Sequence, residues 1–261
     1  MANLHVPDYL ILPYGRAVKS DLQKIALSAV SADGLYFSTD VPVIFINKAN
    51  RRPMCLGDFD RHFRGWPDSS YHDDSDQTIL DHMFTIIKSH NPNMTPSEEE
   101  FLNLYFTTLK ALSSNAHRDE GAHEAARNLG IPFDWLYRPK SSISPNDIWR
   151  ALLPIPELQL YVQDPLAETK SYQPDNNFRV DYGFWNGEKL IAVEIDGAEP
   201  AGYARDIRRD RLLRRAGVDV IHITNFEIAK HKARALIELL PRQFFGLDWS
   251  YEGQKPDIIP F

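Results

Sequence analysis

A chain of 261 residues, 43% hydrophobic and 25% charged, can bury a sizeable core and is composed like a folded globular protein, which excludes wholesale disorder. Its single cysteine, Cys55, excludes an internal disulfide and fits a reducing compartment, and no apolar run approaches the length of a membrane span. The net charge of −7 speaks against nucleic-acid binding by the surface as a whole.

The first residues, MANLHVPDYLILPYGR, carry Asp8 and no basic leader. They do not read as a signal peptide, and the cytoplasm is the expected location. Pro7 to Pro13 and Val41 to Asn47 read as strands, being short apolar runs with β-branched and aromatic residues. Lys19 to Ala32 between them reads as a helix. Asn50 to Gln77, rich in Gly, Pro, Asp and Ser, reads as loop. Within it, Asp73, Asp74 and Asp76 read as a solvated loop and Cys55 as a buried structural thiol rather than a nucleophile paired with His62. The basic and aromatic patch from Arg61 to Trp66 reads as ordinary packing, with base stacking as the alternative.

A helical block follows. Thr78 to Ser89 has helical apolar spacing. Thr95 opens a capping box with Glu98, with Pro96 at the first helical position, and this helix is expected to run to about Ser113 on a stripe of Phe101, Leu102, Tyr105, Leu109 and Leu112. Ala116 to Leu129 reads as a third helix closed by Gly130. The Pro- and Ser-rich stretch from Ile131 to Ser144 is the expected boundary, giving an N-terminal α+β, largely helical domain over 1–135 and a second domain over 136–261. In the second, a short helix from Ser144 to Leu153 precedes strands at Leu158 to Gln163, Phe178 to Phe184 and Lys189 to Asp196. A helix from Ala204 to Ala216 ends at Gly217. A strand from Val218 to Thr224 and a helix from Phe226 to Leu240 complete an α/β arrangement.

The stretch from Phe178 to Gly197 carries the chemistry. Asn186-Gly187 is a hairpin signal that sets two strands side by side. Glu194 and Asp196, two apart, share one strand face with Leu190 and Ala192, while Ile191, Val193 and Ile195 fill the other. Apolar residues on both faces mark a buried strand. Carboxylates at its end are costly unless compensated, and a hard divalent cation is the natural compensation. Asp181 on the neighbouring strand completes the cluster. The alternative is an ion-pair network at the sheet edge.

These residues resemble the PD-(D/E)xK nuclease superfamily, and are similar to the domains related to the very-short-patch-repair endonuclease. The resemblance runs over Val180-Asp181-Tyr182 and Val193-Glu194-Ile195-Asp196-Gly197. It continues through Asp206, Arg209, Asp210, Leu213, Gly217, Val220 and Glu227, within roughly Ser144 to Leu240. It implies a restriction-endonuclease-like mixed sheet flanked by helices. It also implies Mg²⁺, with Mn²⁺ as a substitute, held by Asp181, Glu194 and the backbone carbonyl of Ile195, and magnesium-dependent hydrolysis of phosphodiesters, with DNA as the expected substrate. A role in repair, restriction or defence against mobile DNA follows by analogy only.

The chain departs from the pattern in three places. Asp196 stands where the superfamily has lysine and is read as a third metal ligand or as acting through a second metal. Ala198-Glu199-Pro200 stands where related domains have a histidine. The leading helix of the relatives bears a glutamate after Ser-Pro, for which Asp147 is a loose candidate.

Positive charge is concentrated after the motif. Ala201 to Phe245 holds ten Lys and Arg against five Asp and Glu, the remainder 19 against 31. On the helix after the motif, Arg205, Arg209, Leu212, Leu213 and Ala216 share the face expected on the sheet. Arg209 is expected to grip the scissile phosphate in the lysine's place, or else to pair with Asp206 or Asp196. Arg208, Arg211, Arg214 and Arg215 share the other face and, with Arg205, are candidate nucleic-acid contacts, or a merely solvated face. The histidines show no zinc spacing, and His222 reads as a satisfied core residue.

Together these features read as a metal-dependent endonuclease with catalytic Asp181, Glu194, Asp196 and Arg209. Its N-terminal part would select substrate, regulate access or bind a protein partner. The rival is a nuclease fold without catalysis that binds nucleic acid or a partner; a third reading is a pure protein-interaction module.

Overall fold

The structure is a computed structural model. It describes residues 9–13, 26–31, 34–38, 43–47, 53–57, 76–89, 91, 93–113, 124, 126–132, 147–161, 177–197, 203–215 and 217–247. The expected patch from Arg61 to Trp66, the acids Asp73 and Asp74, and the boundary around residue 135 lie outside the described residues.

Two short antiparallel ribbons come first. Strand β1 (Tyr9–Pro13) pairs with β4 (Val43–Asn47), and β2 (Ala26–Ser31) pairs with β3 (Gly34–Ser38). Within the expected helix from Lys19 to Ala32, residues 26–31 are therefore strand. The physical reason is the connection: Ser31 pairs with Gly34 only three positions on, and cross-strand pairing of Leu27 with Phe37 and Val30 with Leu35 overrides the helical spacing.

Helices α1 (Asp76–Ser89) and α2 (Pro96–Ser113) form an antiparallel pair. The capping box of α2 is as expected: the Glu98 N–H donates to Thr95 Oγ1 at 3.3 Å, and the Thr95 N–H to Glu98 Oε2 at 2.9 Å. Phe101, Leu102, Tyr105 and Leu109 are all fully buried.

The centre is a four-stranded mixed sheet flanked by helices, an α/β arrangement. Its order is β5 (Ile155–Tyr161), β6 (Asn177–Trp185), β7 (Leu190–Asp196) and β8 (Asp219–Thr224), with the first two pairings antiparallel and the last parallel. The hairpin between β6 and β7 turns one residue later than the Asn-Gly signal suggests. Asn186 N–H donates to the Lys189 carbonyl at 3.2 Å, the Asn186 side-chain oxygen accepts the N–H groups of Glu188 and Lys189, and Gly187 between them has φ +94, which favours glycine. The parallel β7–β8 step is bridged by α3 (Tyr203–Arg215). Gly217, at φ +83, ends that connection with a Schellman pair: its N–H donates to Arg214 and that of Val218 to Leu213.

The segment expected as one helix from Phe226 to Leu240 is two, α4 (Asn225–His231) and α5 (Ala233–Leu239), broken at Lys232, whose φ is +49. A capping box of Thr224 and Glu227 starts α4. Of the short helix expected from Ser144 to Leu153, the described residues form a 3-10 turn, Asp147–Arg150, and 144–146 lie outside them.

Alternation along β6 and β7 sends Tyr182, Phe184, Ile191 and Val193 to one face and Asp181, Gly183, Ala192 and Glu194 to the other. The first face is the core. Phe101 of α2 lies 4.8 Å from the Tyr182 ring and Tyr105 lies 5.9 Å from Phe184. Phe244 closes on Phe184 at 4.5 Å. The helices ahead of residue 135 thus share a core with the sheet that follows it. Full burial of each such ring contributes roughly 1.5–3 kcal/mol.

Two tyrosine hydroxyls fix α2 against the sheet. Tyr182 Oη donates to the Glu98 carbonyl at 2.8 Å. Tyr105 Oη reaches the carbonyls of Leu152 and Phe244 at 2.7 and 2.5 Å, sharing one proton between two buried acceptors. Replacing Tyr105 with Phe keeps the ring and strips the donor. The expected result is a loss of about 1–3 kcal/mol in unfolding free energy, read by urea denaturation with an unchanged m-value.

Candidate functional site

The second face of the sheet carries the ionisable groups. The β6–β7 register ends at Tyr182 opposite Val193, so one step further Asp181 stands opposite Glu194. The parallel register then sets Glu194 beside His222 and Asp196 beside Thr224. Helix α3 lies over this face with Leu212 and Leu213 buried, and Arg209 and Asp210 one turn earlier reach the strand end. Of the face of α3 expected to pack, Leu212 and Leu213 are buried and Arg209 is half-buried, while the side chains of Arg205 and Ala216 lie outside those described.

Glu194 is the most costly group. It is buried, with 5% of its surface exposed, and its Oε1 has no hydrogen-bond donor among the described residues. Its nearest positive charge is Arg209, with Nη2 at 3.5 Å from that oxygen. Burial pushes the Glu194 carboxyl up to about 8; the charges of Asp181, Asp210 and Asp196 push the same way, against Arg209. Asp181 accepts the Ile195 N–H at Oδ2, 2.7 Å. Its carboxyl is raised to about 6, chiefly by burial, opposed by that hydrogen bond, raised further by Glu98 and lowered by Arg179 and Arg209. The charge of Asp181 disfavours ionisation of Glu194 and Arg209 opposes it; two neighbouring carboxyls of this kind could hold a cation.

Asp196 goes elsewhere. Its Oδ2 lies 3.0 Å from His222 Nδ1, and His222 Nε2 lies 2.8 Å from Asp210 Oδ2. The other oxygen of Asp210 is 3.8 Å from Arg209 Nε. The expectation of three converging carboxylates is therefore not met. Among the described residues no three His, Cys, Asp or Glu side chains stand together to hold a metal ion. Shared strand-face parity brings Asp196 near Glu194, but the imidazole on β8 draws it toward α3. The donors that fit a cation are the carboxylates of Asp181 and Glu194. A magnesium ion that keeps waters or takes phosphate oxygens needs one or two carboxylates.

Arg209 reaches Glu194 and Asp210, not Asp196. Arg208, Arg211, Arg214 and Arg215 are exposed, while the side chains of Arg205 and Asp206 lie outside those described. Sequence reasoning misses the part played by three groups. Asp210 enters it only as a motif position. His222 is satisfied, as expected of a strand histidine, but by two site carboxylates rather than by the core. Glu98 is buried on α2 and its charge bears on Asp181. It follows Thr95-Pro96, a signal as good as the Ser144-Pro145 that points to Asp147, whose side chain is outside those described.

The raised carboxyls have a consequence for stability. In the fold Asp181 and Glu194 hold protons up to about pH 6 and about pH 8, from ordinary values of 3.8 and 4.5. Between about pH 4 and about pH 8 the native state therefore binds more protons than the unfolded chain, and stability falls as pH rises through that window. In EDTA, urea denaturation should show wild type losing stability from pH 5.5 to 8.5, and Glu194→Gln should remove much of that slope. Equal slopes in the two proteins would contradict the assignment.

No family model, no curated protein and no solved structure matches the chain.

Proposed function

We propose that this chain is a magnesium-dependent nuclease that hydrolyses phosphodiester bonds of DNA, built on a restriction-endonuclease-like sheet of the PD-(D/E)xK kind. The observation that carries the reading is Glu194: a buried carboxyl with an oxygen that no donor among the described residues meets, opposite the half-buried carboxyl of Asp181. Ionising both members of such a pair is costly, Arg209 at 3.5 Å offsets only part of that cost, and a bound cation would offset the rest.

In this reading Asp181 and Glu194 hold the cation, with the carbonyl of Ile195 as a backbone donor. A cation held there would supply a more acidic water and Lewis acidity toward the phosphate. Arg209 has a planar guanidinium at the same spot and stabilises the charge that builds on the phosphate as water attacks and the ester bond breaks. Asp210 faces Arg209 at 3.8 Å without a hydrogen bond, and His222 joins Asp210 to Asp196, tying α3 to β7 and β8. Second-sphere ties of this sort typically matter by about 10–100-fold in metal affinity or activity. The exposed Arg208, Arg211, Arg214 and Arg215 are candidates for contact with flanking phosphates, the alternative being a merely solvated face. A role in repair, restriction or defence is an analogy that rests on the resemblance alone.

A second reading is favoured by a specific observation. The position of the usual lysine is Asp196, tied to His222, and Arg209 already stands 3.5 Å from Glu194 as its counter-charge. A nuclease fold that binds nucleic acid or a protein partner without cleaving would look like this.

Plasmid nicking separates the two. With Mg²⁺ or Mn²⁺ the wild type is expected to nick supercoiled DNA and to stop in EDTA. Asp181→Ala and Glu194→Ala should each abolish cleavage, and Arg209→Ala should slow it about 10²–10³-fold. DNA binding without cleavage in any metal selects the second reading.

A further inference from the structure

Glu157 on β5 departs from its neighbours in three ways. Its φ is +47, a left-handed conformation that residues with side chains adopt only where the surroundings hold them there. It is buried, with 4% of its surface exposed. One of its oxygens, Oε2, meets no hydrogen-bond partner among the described residues. Its other oxygen lies 3.4 Å from Arg179 Nη1. For folding alone, an apolar residue would serve a buried strand better than a half-satisfied carboxylate. The use of Glu157 therefore lies in what it holds, and it holds Arg179.

Arg179 is well placed to act. The β5–β6 register, with Pro156 opposite Tyr182 and Leu158 opposite Val180, sets Glu157 across from Asp181. Arg179 precedes Asp181 by two residues on the same strand and so shares its face. Its side chain is 53% exposed, and its charge acts on the Asp181 carboxyl. One nitrogen faces Glu157, and a guanidinium has five donors, which leaves an edge for a solvent-side ligand. Arg209 approaches the same carboxylate pair from α3, so the two arginines flank it from the helix side and from the β5 side.

We propose that Arg179, anchored by the buried and strained Glu157, is a second phosphate-binding group of this site, taking a nucleic-acid phosphate next to the one that Arg209 takes. The proposal rests on the nuclease reading for the class of its ligand, but not on cleavage. A phosphate on Arg179 would lie beside the Asp181–Glu194 pair, so the two arginines together would set the direction in which the strand crosses the sheet end.

Binding of a short fluorescein-labelled DNA duplex, followed by anisotropy in EDTA across a salt series, tests it. Arg179→Ala should weaken binding about five- to tenfold and reduce the slope of log K against log salt by about one. Glu157→Gln gives a test of sign. Deleting an acid near a DNA-binding surface tightens binding if the acid is only a neighbouring charge, and weakens it if the acid holds an arginine in place. The expected result is weaker binding, by about threefold. Circular dichroism melts check that the variants fold; should Glu157→Gln fail to fold, the half-exposed Arg179→Ala decides alone. Wild-type affinity and slope in Arg179→Ala, or tighter binding in a folded Glu157→Gln, would overturn the proposal. Nicking by the wild type in Mg²⁺ is read alongside. Unchanged binding in Arg179→Ala with cleavage by the wild type rejects the Arg179 assignment and spares the nuclease. Arg179-dependent binding without cleavage in any metal supports the assignment and rejects the nuclease. A wild type that binds no DNA overturns both.

Discussion

The side chain of Glu194 enters the interior at the end of a central strand with an oxygen that no donor among the described residues meets, and much of the C-terminal half is arranged around that cost. Ionising a carboxyl there is unfavourable enough to hold its proton to about pH 8. Asp181 sits opposite because the hairpin register puts it there, and its charge makes the cost larger. The arrangement would be a defect in a protein that only had to fold. Arg209, at 3.5 Å and without a hydrogen bond to the carboxyl, offsets only part of it.

What keeps this end of the sheet in shape is packing on its opposite face. Helix α2 lies across the strands with Phe101 and Tyr105 against Tyr182 and Phe184. The Tyr182 hydroxyl on the Glu98 carbonyl sets where the helix starts relative to β6. That in turn brings the Glu98 side chain close enough to act on Asp181. On the site face, the Asp196–His222–Asp210 bridge joins two strands to α3 through contacts of 3.0 and 2.8 Å.

Legibility follows the range of the interaction. The capping boxes at Thr95 and Thr224, the Schellman turn at Gly217 and the two faces of β7 depend on residues within a few positions of one another. The first of these, the glycine stop after Ala216 and the alternation along β7 are legible in the chain alone. The strand at Ala26–Ser31 is not, because a period-3.6 pattern is outweighed by pairing with a neighbour two residues beyond its end. Nor is the break at Lys232, where residues of good helical spacing are split by a single positive φ. In the site, Asp181 and Glu194 stand out from alternation and one hairpin signal. Glu98 lies 83 residues before Asp181 in the chain, and no local pattern connects them.

The amino-acid order by itself determined which residues share a strand face, where α2 begins, and that two acids must stand side by side across a tight turn, because backbone hydrogen bonding and alternation act over a handful of positions. Only the tertiary structure decided that Asp196 turns to His222 rather than to Glu194. It also decided that Glu98 comes to Asp181 and that Glu157 holds Arg179. Those meetings depend on how β5, β8, α2 and α3 pack on one sheet, and packing weighs shape and charge among groups far apart in the chain.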